Sequence, residues 1–339
     1  MDRVSAWMDA HGLGTGPISA VSPISGGTQN VMVRFTRDGS DYVLRRGPQH
    51  LRPLSNRVIS REVRVLHALA GTPVPHPRLI AACDDTSVLG DAVFYLMEPV
   101  DGFNAGSELP DAAAGDGAKR HQLALSMIDA LASLGAVDHE AVGLADFGRP
   151  DGFLERQVDR WLAELATYDE LPGYAGADIG DVGGVARWLS ERVPQQWTPG
   201  IIHGDFHACN VMFKRTEPAV AAIVDWEMST IGDPLLDVGW LMATWDLPGA
   251  PAEFAGLLTQ AGGLPTTTQL IDRYAAQTSR DLSDLAWYGV LACFKLGIIL
   301  EGSHARAQAG LAPAEIGDRL HTTTLRLFER AHHFMDGAQ

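Results

Sequence analysis

The sequence predicts an α+β fold in which an N-terminal antiparallel sheet with one helix precedes a mostly helical C-terminal lobe. Two observations predict the sheet: alternating apolar residues at 21–24, 31–35 and 41–46, and an apolar run at 94–97. The third observation is amphipathic spacing at 119–137 and 153–167, which is typical of helices. We place a hinge near residue 100 and expect two lobes, 1–100 and 101–339.

The helix of the N-terminal lobe is predicted at residues 60–70. Apolar side chains recur there at helical spacing, and Gly71 and Pro73 follow as residues that end helices. Its position after the third strand predicts that it packs against the sheet.

The densest functional signal lies between residues 203 and 225. His203, Gly204 and Asp205 open it, Asn210 follows, and Asp225 comes at the end of an apolar run. Short apolar runs at 201–202, 211–213 and 221–224 predict small buried strands around these residues. The sequence therefore predicts a polar loop between strands, followed by a strand that ends in an aspartate.

The residue types in this stretch suit phosphoryl transfer. Asp205 carries a carboxylate that can orient an acceptor hydroxyl and take its proton. Asn210 offers a neutral amide oxygen and Asp225 a charged oxygen, and Mg²⁺ prefers such ligands. The alternative is an accidental pattern in a chain rich in acidic residues, and the flanking strands argue against it.

At these residues the chain resembles the aminoglycoside phosphotransferase family, which has a bilobal protein-kinase-like fold. The resemblance implies that Asp205 is the catalytic base and that Asn210 and Asp225 bind Mg²⁺. It implies a supporting role for His203 without proton transfer, and it places Glu227 near the metal or its waters. The co-substrate implied is ATP, although the sequence does not decide between ATP and GTP.

Two further features belong to the C-terminal lobe. Asp237 is expected on a helix that begins after Asp233 and Pro234, where it can accept hydrogen bonds from the loop backbone. The segment 147–161 resembles the branch of the family in which kinase-like domains are fused to acyl-CoA dehydrogenases. That branch is associated with phosphorylation of hydroxyacyl-CoA thioesters.

A glycine-containing turn between the first two strands is the predicted phosphate-binding segment. Glycines in such a turn let the backbone approach a phosphate closely. The residues assigned to nucleotide binding there are Ser25, Gly26, Gly27 and Thr28.

The third strand provides two more nucleotide contacts. Side chains alternate along a strand, so Val43 and Arg45 share one face. The resemblance places Val43 against the adenine, Arg45 toward the phosphates, and Glu62 of the following helix as the partner of Arg45. Arg45 stands where the kinase pattern has Lys, and Arg keeps the charge while binding phosphate through two parallel hydrogen bonds. The alternatives are surface arginines on an edge strand and an exposed helix glutamate.

The run that ends in Glu98, Pro99 and Val100 resembles the hinge between kinase lobes. Under that interpretation Met97 lines the back of the adenine pocket, while the Glu98 carbonyl and the Val100 amide meet the edge of the base. Pro99 lies between them, where its missing amide is not needed.

Composition indicates an ordinary globular protein: 339 residues, of which 46% are hydrophobic and 20% charged. The start of the chain lacks the apolar core of a signal peptide, and the apolar stretch Leu285 to Leu300 is shorter than a bilayer span and contains Lys295. We therefore expect a cytoplasmic protein with no membrane partner. The three cysteines lack metal-ligand spacing, and Cys209 is interpreted as a small buried side chain.

The formal net charge is −16, and most of the excess acid falls between residues 101 and 240. Such a balance argues against a nucleic-acid partner, since affinity for nucleic acid depends on basic surface. Acidic side chains there would attract cationic sugars by electrostatic steering. Solvated helix faces that keep the protein soluble explain the excess acid equally well.

The predicted activity is Mg²⁺-dependent transfer of the ATP γ-phosphoryl group to a hydroxyl of a small molecule. A hydroxyacyl-CoA kinase is the alternative within enzymes, and a nucleotide-binding pseudokinase is the alternative from another class. The presence of Asp205, Asn210 and Asp225 argues against the pseudokinase. The sequence identifies neither the acceptor nor the oligomeric state.

Overall fold

The computed structural model describes residues 1–24, 30–245 and 252–337, apart from the side chains of residues 252–255. The predicted phosphate-binding residues Ser25, Gly26, Gly27 and Thr28 lie outside the described residues. The strands on either side of them pair antiparallel with each other.

A five-stranded antiparallel sheet occupies the N-terminal part of the chain, with strand order β1-β2-β3-β5-β4. Its strands are β1 (Ser19–Pro23), β2 (Val31–Arg37), β3 (Ser40–Arg46), β4 (Leu79–Cys83) and β5 (Phe94–Met97). β3 is therefore the central strand, and the alternative that placed Arg45 on an edge strand is wrong.

Each face of this sheet carries a helix, where the sequence predicted one helix in total. Helix α1 (Asp2–Ala10) packs Val4 and Met8 against a cluster that includes Leu44 and Phe94. Helix α2 (Ser55–Leu69) covers the opposite face and begins five residues before the predicted start. Because side chains alternate along β3, one face of this strand is apolar and packs against α1, while the other face carries Arg45 and lies toward α2.

Two small sheets surround the polar loop, and the three flanking apolar runs form strands in them, as predicted, whereas β6 and β10 were not predicted. One pairs β7 (Gly200–Ile202) with β10 (Thr230–Gly232). The other contains β6 (Phe103–Asn104), β8 (Val211–Phe213) and β9 (Val220–Ile223) in the order β6-β8-β9. The loop from residue 203 to residue 210 therefore enters from one sheet and leaves into the other.

The remainder of the described chain is mostly helical, which confirms the predicted fold class. The helices are α3 (Asp111–Ala114), α4 (Gly117–Gly135), α5 (Gln157–Thr167), α6 (Val182–Glu191), α7 (Leu235–Thr244), α8 (Ala252–Gln260), α9 (Thr267–Ala275), α10 (Leu285–Gln308) and α11 (Ala314–Met335). Helix α5 begins four residues after the predicted start at residue 153, because residues 151–156 form turns.

Helix α10 forms the centre of the helical part and packs against α5, α6, α7 and α11. By length and composition it could cross a membrane, but 83% of its most apolar window is buried inside the protein. Gly239 of α7 allows close packing there, since a Cβ at this position would lie 2.5 Å from the backbone of Tyr288 in α10. Helices α7 and α10 therefore form a tight pair beneath the polar loop.

Candidate active site

The loop that begins at His203 has a backbone conformation that requires glycine. Gly204 has φ of +87°, and a Cβ there would lie 2.6 Å from the carbonyl oxygen of Met228. A residue with a side chain would meet both a backbone penalty and a collision at this point. The tight turn at Gly204 directs the next residue, Asp205, away from the strand.

His203 is fully buried and makes only structural contacts in the described chain. Its Nε2 lies 2.9 Å from the carbonyl oxygen of Val224, and its Nδ1 accepts a hydrogen bond from the amide of Asp205 at 3.3 Å. These contacts suit a neutral imidazole with the proton on Nε2. His203 thus ties the loop to the strand that leads to Asp225.

Asp237 of α7 holds the same turn from below. Its two carboxylate oxygens accept hydrogen bonds from the amides of His203, at 2.6 Å, and Gly204, at 2.8 Å. Burial raises the pKa of Asp237, and these two amide bonds favour the charged form. The structure therefore places Asp237 where the sequence expected it, against the backbone of the loop.

Asp205 and Asn210 lie side by side. The amide nitrogen of Asn210 donates to the backbone carbonyl and to Oδ2 of Asp205, both at 2.9 Å. Its position is fixed by these bonds, and among the described residues no donor engages Asn210 Oδ1. That oxygen is consequently available to a ligand or a metal ion.

The carboxylate of Asp205 also interacts with His207, which lies 3.5 Å away through Nε2. Burial is the largest influence and opposes ionisation of both side chains. Their hydrogen bond and mutual charge attraction, with smaller contributions from His203 and Lys295 on Asp205 and from Cys209 on His207, together outweigh it, so the pKa of Asp205 is lowered and that of His207 rises to about 9. A carboxylate with a lowered pKa is a weak base. Asp205 is therefore suited to orient a hydroxyl and to accept its proton late in a transfer step.

Asp225 occupies a strained backbone position at the end of β9. Its φ and ψ are +68° and +64°, in the left-handed region that non-glycine residues rarely adopt. The amide of Val224 donates to the carbonyl of Asn210 at 2.9 Å, which joins this segment to the loop. The strained turn points the half-exposed carboxylate of Asp225 toward the N-terminal sheet.

Arg45 joins the sheet to Asp225. Its guanidinium lies 2.8 Å and 2.9 Å from the two carboxylate oxygens of Glu62 and 2.6 Å from Oδ1 of Asp225. Tyr95 donates a further hydrogen bond to Glu62 at 2.8 Å. Burial raises the pKa of Glu62, and the charge and hydrogen bonds of Arg45 oppose this rise. Because the guanidinium contacts both carboxylate oxygens of Glu62, we assign an ionised pair at neutral pH.

Three carboxylates surround this one guanidinium. Ligand oxygens of Glu62, Asp225 and Glu227 lie within 4.8 Å of one another, and Glu227 is 4.0 Å from Arg45. Burial and the neighbouring Asp225 both raise the pKa of Glu227. If all three carboxylates are ionised, three negative charges and one positive charge leave a net charge of −2, so the donor set fits a divalent cation.

The predicted adenine-binding residues come together at the end of β5. Val43 pairs directly with Met97 across the sheet, and the next residue, Glu98, begins the connection to the helical part. The Glu98 amide donates to the Arg78 carbonyl at 3.0 Å. In the described part of the chain no hydrogen bond engages the Glu98 carbonyl or the Val100 amide, so both are free for a base edge.

The comparison with family models now identifies the chain. Residues 20–275 match the model of the phosphotransferase enzyme family. The chain belongs to this family. The match runs from β1 through α9 and includes the loop at residues 203–210, and it confirms the resemblance found in the sequence.

Relatives of this phosphotransferase include multidomain proteins. Acyl-CoA dehydrogenase family member 11 of Gallus gallus is 34% identical over 311 residues, which cover 87% of this chain and 38% of that protein. Acyl-CoA dehydrogenase family member 10 of Mus musculus is 27% identical over 327 residues, which cover 94% of this chain and 29% of that protein. The chain thus spans about a third of the length of these relatives.

Solved structures share the fold. A protein of Ralstonia eutropha assigned to the aminoglycoside phosphotransferases is 31% identical, with a TM-score of 0.80 and 98% of each chain covered. The aminoglycoside phosphotransferase APH(4)-Ia, solved with ADP and hygromycin B, is 15% identical, with a TM-score of 0.61 over 97% of this chain and 98% of that one. This last likeness concerns the kinase-like fold alone.

Sequence reasoning missed three residues that contact the candidate site. His207 contacts Asp205, Asn104 of β6 donates to the Cys209 carbonyl at 2.6 Å, and Lys295 of α10 donates to the Gly204 carbonyl at 3.0 Å. The signal for Lys295 was its position as the single charged residue between Leu285 and Leu300. No comparable signal marks Asn104, whose role depends on the pairing of β6 with β8.

Proposed function

We propose that this phosphotransferase moves the γ-phosphoryl group of ATP to a hydroxyl of a small molecule. One observation carries the proposal: Asn210 is hydrogen-bonded to Asp205, Asp225 contacts the Arg45–Glu62 pair, and the Val224 amide beside Asp225 donates to the Asn210 carbonyl. Residues 1–100 would bind the nucleotide, and residues 101–339 would supply catalysis and acceptor recognition.

Nucleotide binding is supported by the charge and the free hydrogen-bonding groups of the N-terminal part. Arg45 is held by Glu62 with its guanidinium beside Asp225, and a guanidinium held in this way suits contact with phosphate oxygens. The Glu98 carbonyl and Val100 amide are free to meet a purine. The neighbour APH(4)-Ia was solved with ADP, and APH(2")-IIia, which is 19% identical to this chain with a TM-score of 0.64, was solved with GDP and kanamycin, so the fold admits either purine nucleotide.

Asn210 and Asp225 would hold Mg²⁺, which would neutralise charge on the phosphates of the bound nucleotide. The fit rests on the free Oδ1 of Asn210 and the carboxylate group of Asp225 beside Glu227. Arg45 contacts Asp225 in the present arrangement, so this contact would be shared or exchanged when a cation is bound.

In the transfer itself the acceptor oxygen forms a bond to the γ-phosphorus, and the bond between this phosphorus and the β,γ-bridging oxygen breaks to release ADP. The hydroxyl proton passes to Oδ1 or Oδ2 of Asp205 and from there to solvent. Because the pKa of Asp205 is low, its main contribution is orientation of the hydroxyl, and proton transfer follows as the oxygen loses electron density.

The relatives favour one acceptor class as a second candidate. Both curated relatives named above are acyl-CoA dehydrogenase family members, which suggests a hydroxyacyl-CoA thioester as the acceptor. Hygromycin B and kanamycin in the neighbouring structures favour an aminoglycoside, but those proteins share only the fold with this chain. Both classes carry the hydroxyl that the mechanism requires.

The test is phosphoryl transfer from γ-labelled ATP to aminoglycosides, other hydroxylated small molecules and hydroxyacyl-CoA thioesters, with and without Mg²⁺. Asp205→Asn should lower kcat by about 10²- to 10⁴-fold while leaving nucleotide affinity nearly unchanged. Asp272→Asn changes an exposed carboxylate and serves as the matched control. Unchanged transfer in Asp205→Asn would remove Asp205 as the base, and nucleotide binding without transfer to any acceptor would favour the pseudokinase.

A further inference from the structure

Lys295 places an ammonium group inside the most apolar helix of the protein. It is the single charged residue between Leu285 and Leu300, and its side chain is mostly buried. Burying an ammonium group is costly unless it finds polar partners. Its position therefore calls for a specific set of contacts.

Those contacts lead to the catalytic loop. Nζ donates to the carbonyl oxygen of Gly204 at 3.0 Å. It also lies 4.3 Å from the ring centre of Trp240 and 5.6 Å from that of Trp161, both of which are buried. Two aromatic faces thus hold the ammonium group in place beneath the loop.

The Gly204 carbonyl belongs to the peptide that joins Gly204 to Asp205. The amide of this same peptide donates to His203 Nδ1 at 3.3 Å. A peptide group is planar, so fixing its oxygen and its nitrogen fixes the orientation of the whole plane. The direction in which the Asp205 side chain leaves the backbone is set by that plane.

We propose that Lys295 is a positioning residue for phosphoryl transfer: together with His203 it clamps the Gly204–Asp205 peptide and thereby orients the Asp205 carboxylate toward the acceptor hydroxyl. The proposal rests on the function proposed above. It goes further by giving α10, a helix outside the sequence motif, a part in catalysis. Asp237 complements the clamp by binding the amide of Gly204 on the other side of that residue.

The charged groups around Lys295 favour its ammonium form near neutral pH. Burial lowers its pKa to about 8, the carboxylates of Asp205 and Asp237 oppose that shift, and Arg160 adds to it. Lys295 in turn contributes to the lowered pKa of Asp205. The ammonium charge is present below pH 8 and is lost as the pH rises through that value.

The kinetic test compares Lys295→Met, Lys295→Arg and Lys119→Met, the last a control on the first turn of α4. Lys295→Met should lower kcat by about 10- to 100-fold, since small misplacements of catalytic groups have such effects, and leave the KM for ATP within about twofold. Lys295→Arg should have a higher kcat than Lys295→Met. Its kcat should also stay constant above pH 8, where the kcat of the parent protein declines, because arginine keeps its charge. An unchanged kcat in Lys295→Met would overturn the proposal. A fall in kcat accompanied by comparable losses of nucleotide affinity and of Tm would overturn it as well.

A measurement independent of turnover uses the small number of lysines. The chain has three, Lys119, Lys214 and Lys295, so protein labelled with ¹³C at lysine Cε gives three signals, and Lys295→Met identifies one of them. That signal should titrate near pH 8 in the parent protein and at lower pH in Asp205→Asn, because the Asp205 charge supports the ammonium. An unchanged titration in Asp205→Asn would overturn the inference. Absence of transfer to every acceptor, with this titration shift present, would instead count against the proposed function.

Discussion

Replacing Arg45 with Met tests the buried Arg45–Glu62 pair, which links the sheet to Asp225. Glu62 is 1% exposed, and Tyr95 would be its remaining hydrogen-bond donor among the described residues. A buried carboxylate that loses its cation takes up a proton rather than staying charged. At pH 7, protonating a carboxyl with an ordinary pKa of 4.5 costs about 3.4 kcal/mol, from about 2.5 pH units at 1.36 kcal/mol each. We expect the free energy of unfolding to fall by about this amount, within the range of 3–5 kcal/mol known for broken buried pairs.

The loss of stability in Arg45→Met should depend on pH. In the variant, folded Glu62 keeps a proton that the unfolded chain has released, so the variant loses stability relative to the parent as the pH rises. At pH 5.5 the protonation cost is only about 1.4 kcal/mol, so the deficit should grow by about 2 kcal/mol between pH 5.5 and pH 7.

Urea unfolding followed by circular dichroism at several pH values in this range measures the deficit. The double variant Arg45→Met/Glu62→Gln is the matched control, because it removes the carboxyl that must be protonated. Its deficit should be smaller than that of Arg45→Met at pH 7 and nearly independent of pH. A deficit of Arg45→Met that is equal at pH 5.5 and pH 7 would refute the assignment of an ionised Glu62.

Two further changes test the backbone of the polar loop at residues 203–210. Gly204→Ala combines an unfavourable positive φ with a collision against the Met228 carbonyl and should lower the free energy of unfolding by several kcal/mol. Gly12→Ala has φ of +66° and nothing within 4 Å, so it should lower the free energy of unfolding by only about 1–2 kcal/mol. Thermal unfolding compares the two variants, and equal losses would contradict the collision. Asp237→Asn replaces one of two acceptor oxygens with an NH₂ group facing a backbone amide and should cost about 1–3 kcal/mol. Its kcat should fall more than its affinity for ATP, and a wild-type kcat would show that the loop keeps its shape without both bonds.

The sequence predicted the parts of the site that depend on short stretches of chain. Asp205, Asn210 and Asp225 could be proposed because one loop carries the first two and the third follows β9, and the apolar runs beside them predicted where the strands lie. The alternation of β3 was sufficient to place Val43 and Arg45 on one face, and their cross-strand partners in the structure are Met97 and Tyr95. The distinction between a central and an edge strand required the sheet order, which local patterns do not contain.

The parts that escaped prediction depend on packing between distant segments. Lys295 reaches Gly204 across 91 positions of sequence, and nothing in the spacing of α10 shows which loop its charged residue meets. Helix α1 was missed because its apolar positions, Val4, Trp7 and Met8, gain meaning only from the sheet face that they cover. Amphipathic spacing states that a face is buried, but it does not identify the partner.

Helices α7 and α10 both bind the backbone of the loop that carries Asp205. Asp237 of α7 binds the amide of Gly204, Lys295 of α10 binds its carbonyl, and Gly239 allows the two helices to pack closely. In the proposed mechanism the loop and Asp225 supply the reactive and metal-binding groups, whereas α7 and α10 fix the peptide that orients Asp205. Substitutions that separate α7 from α10, such as a larger residue at position 239, would therefore reduce transfer even though every residue between 203 and 225 is unchanged.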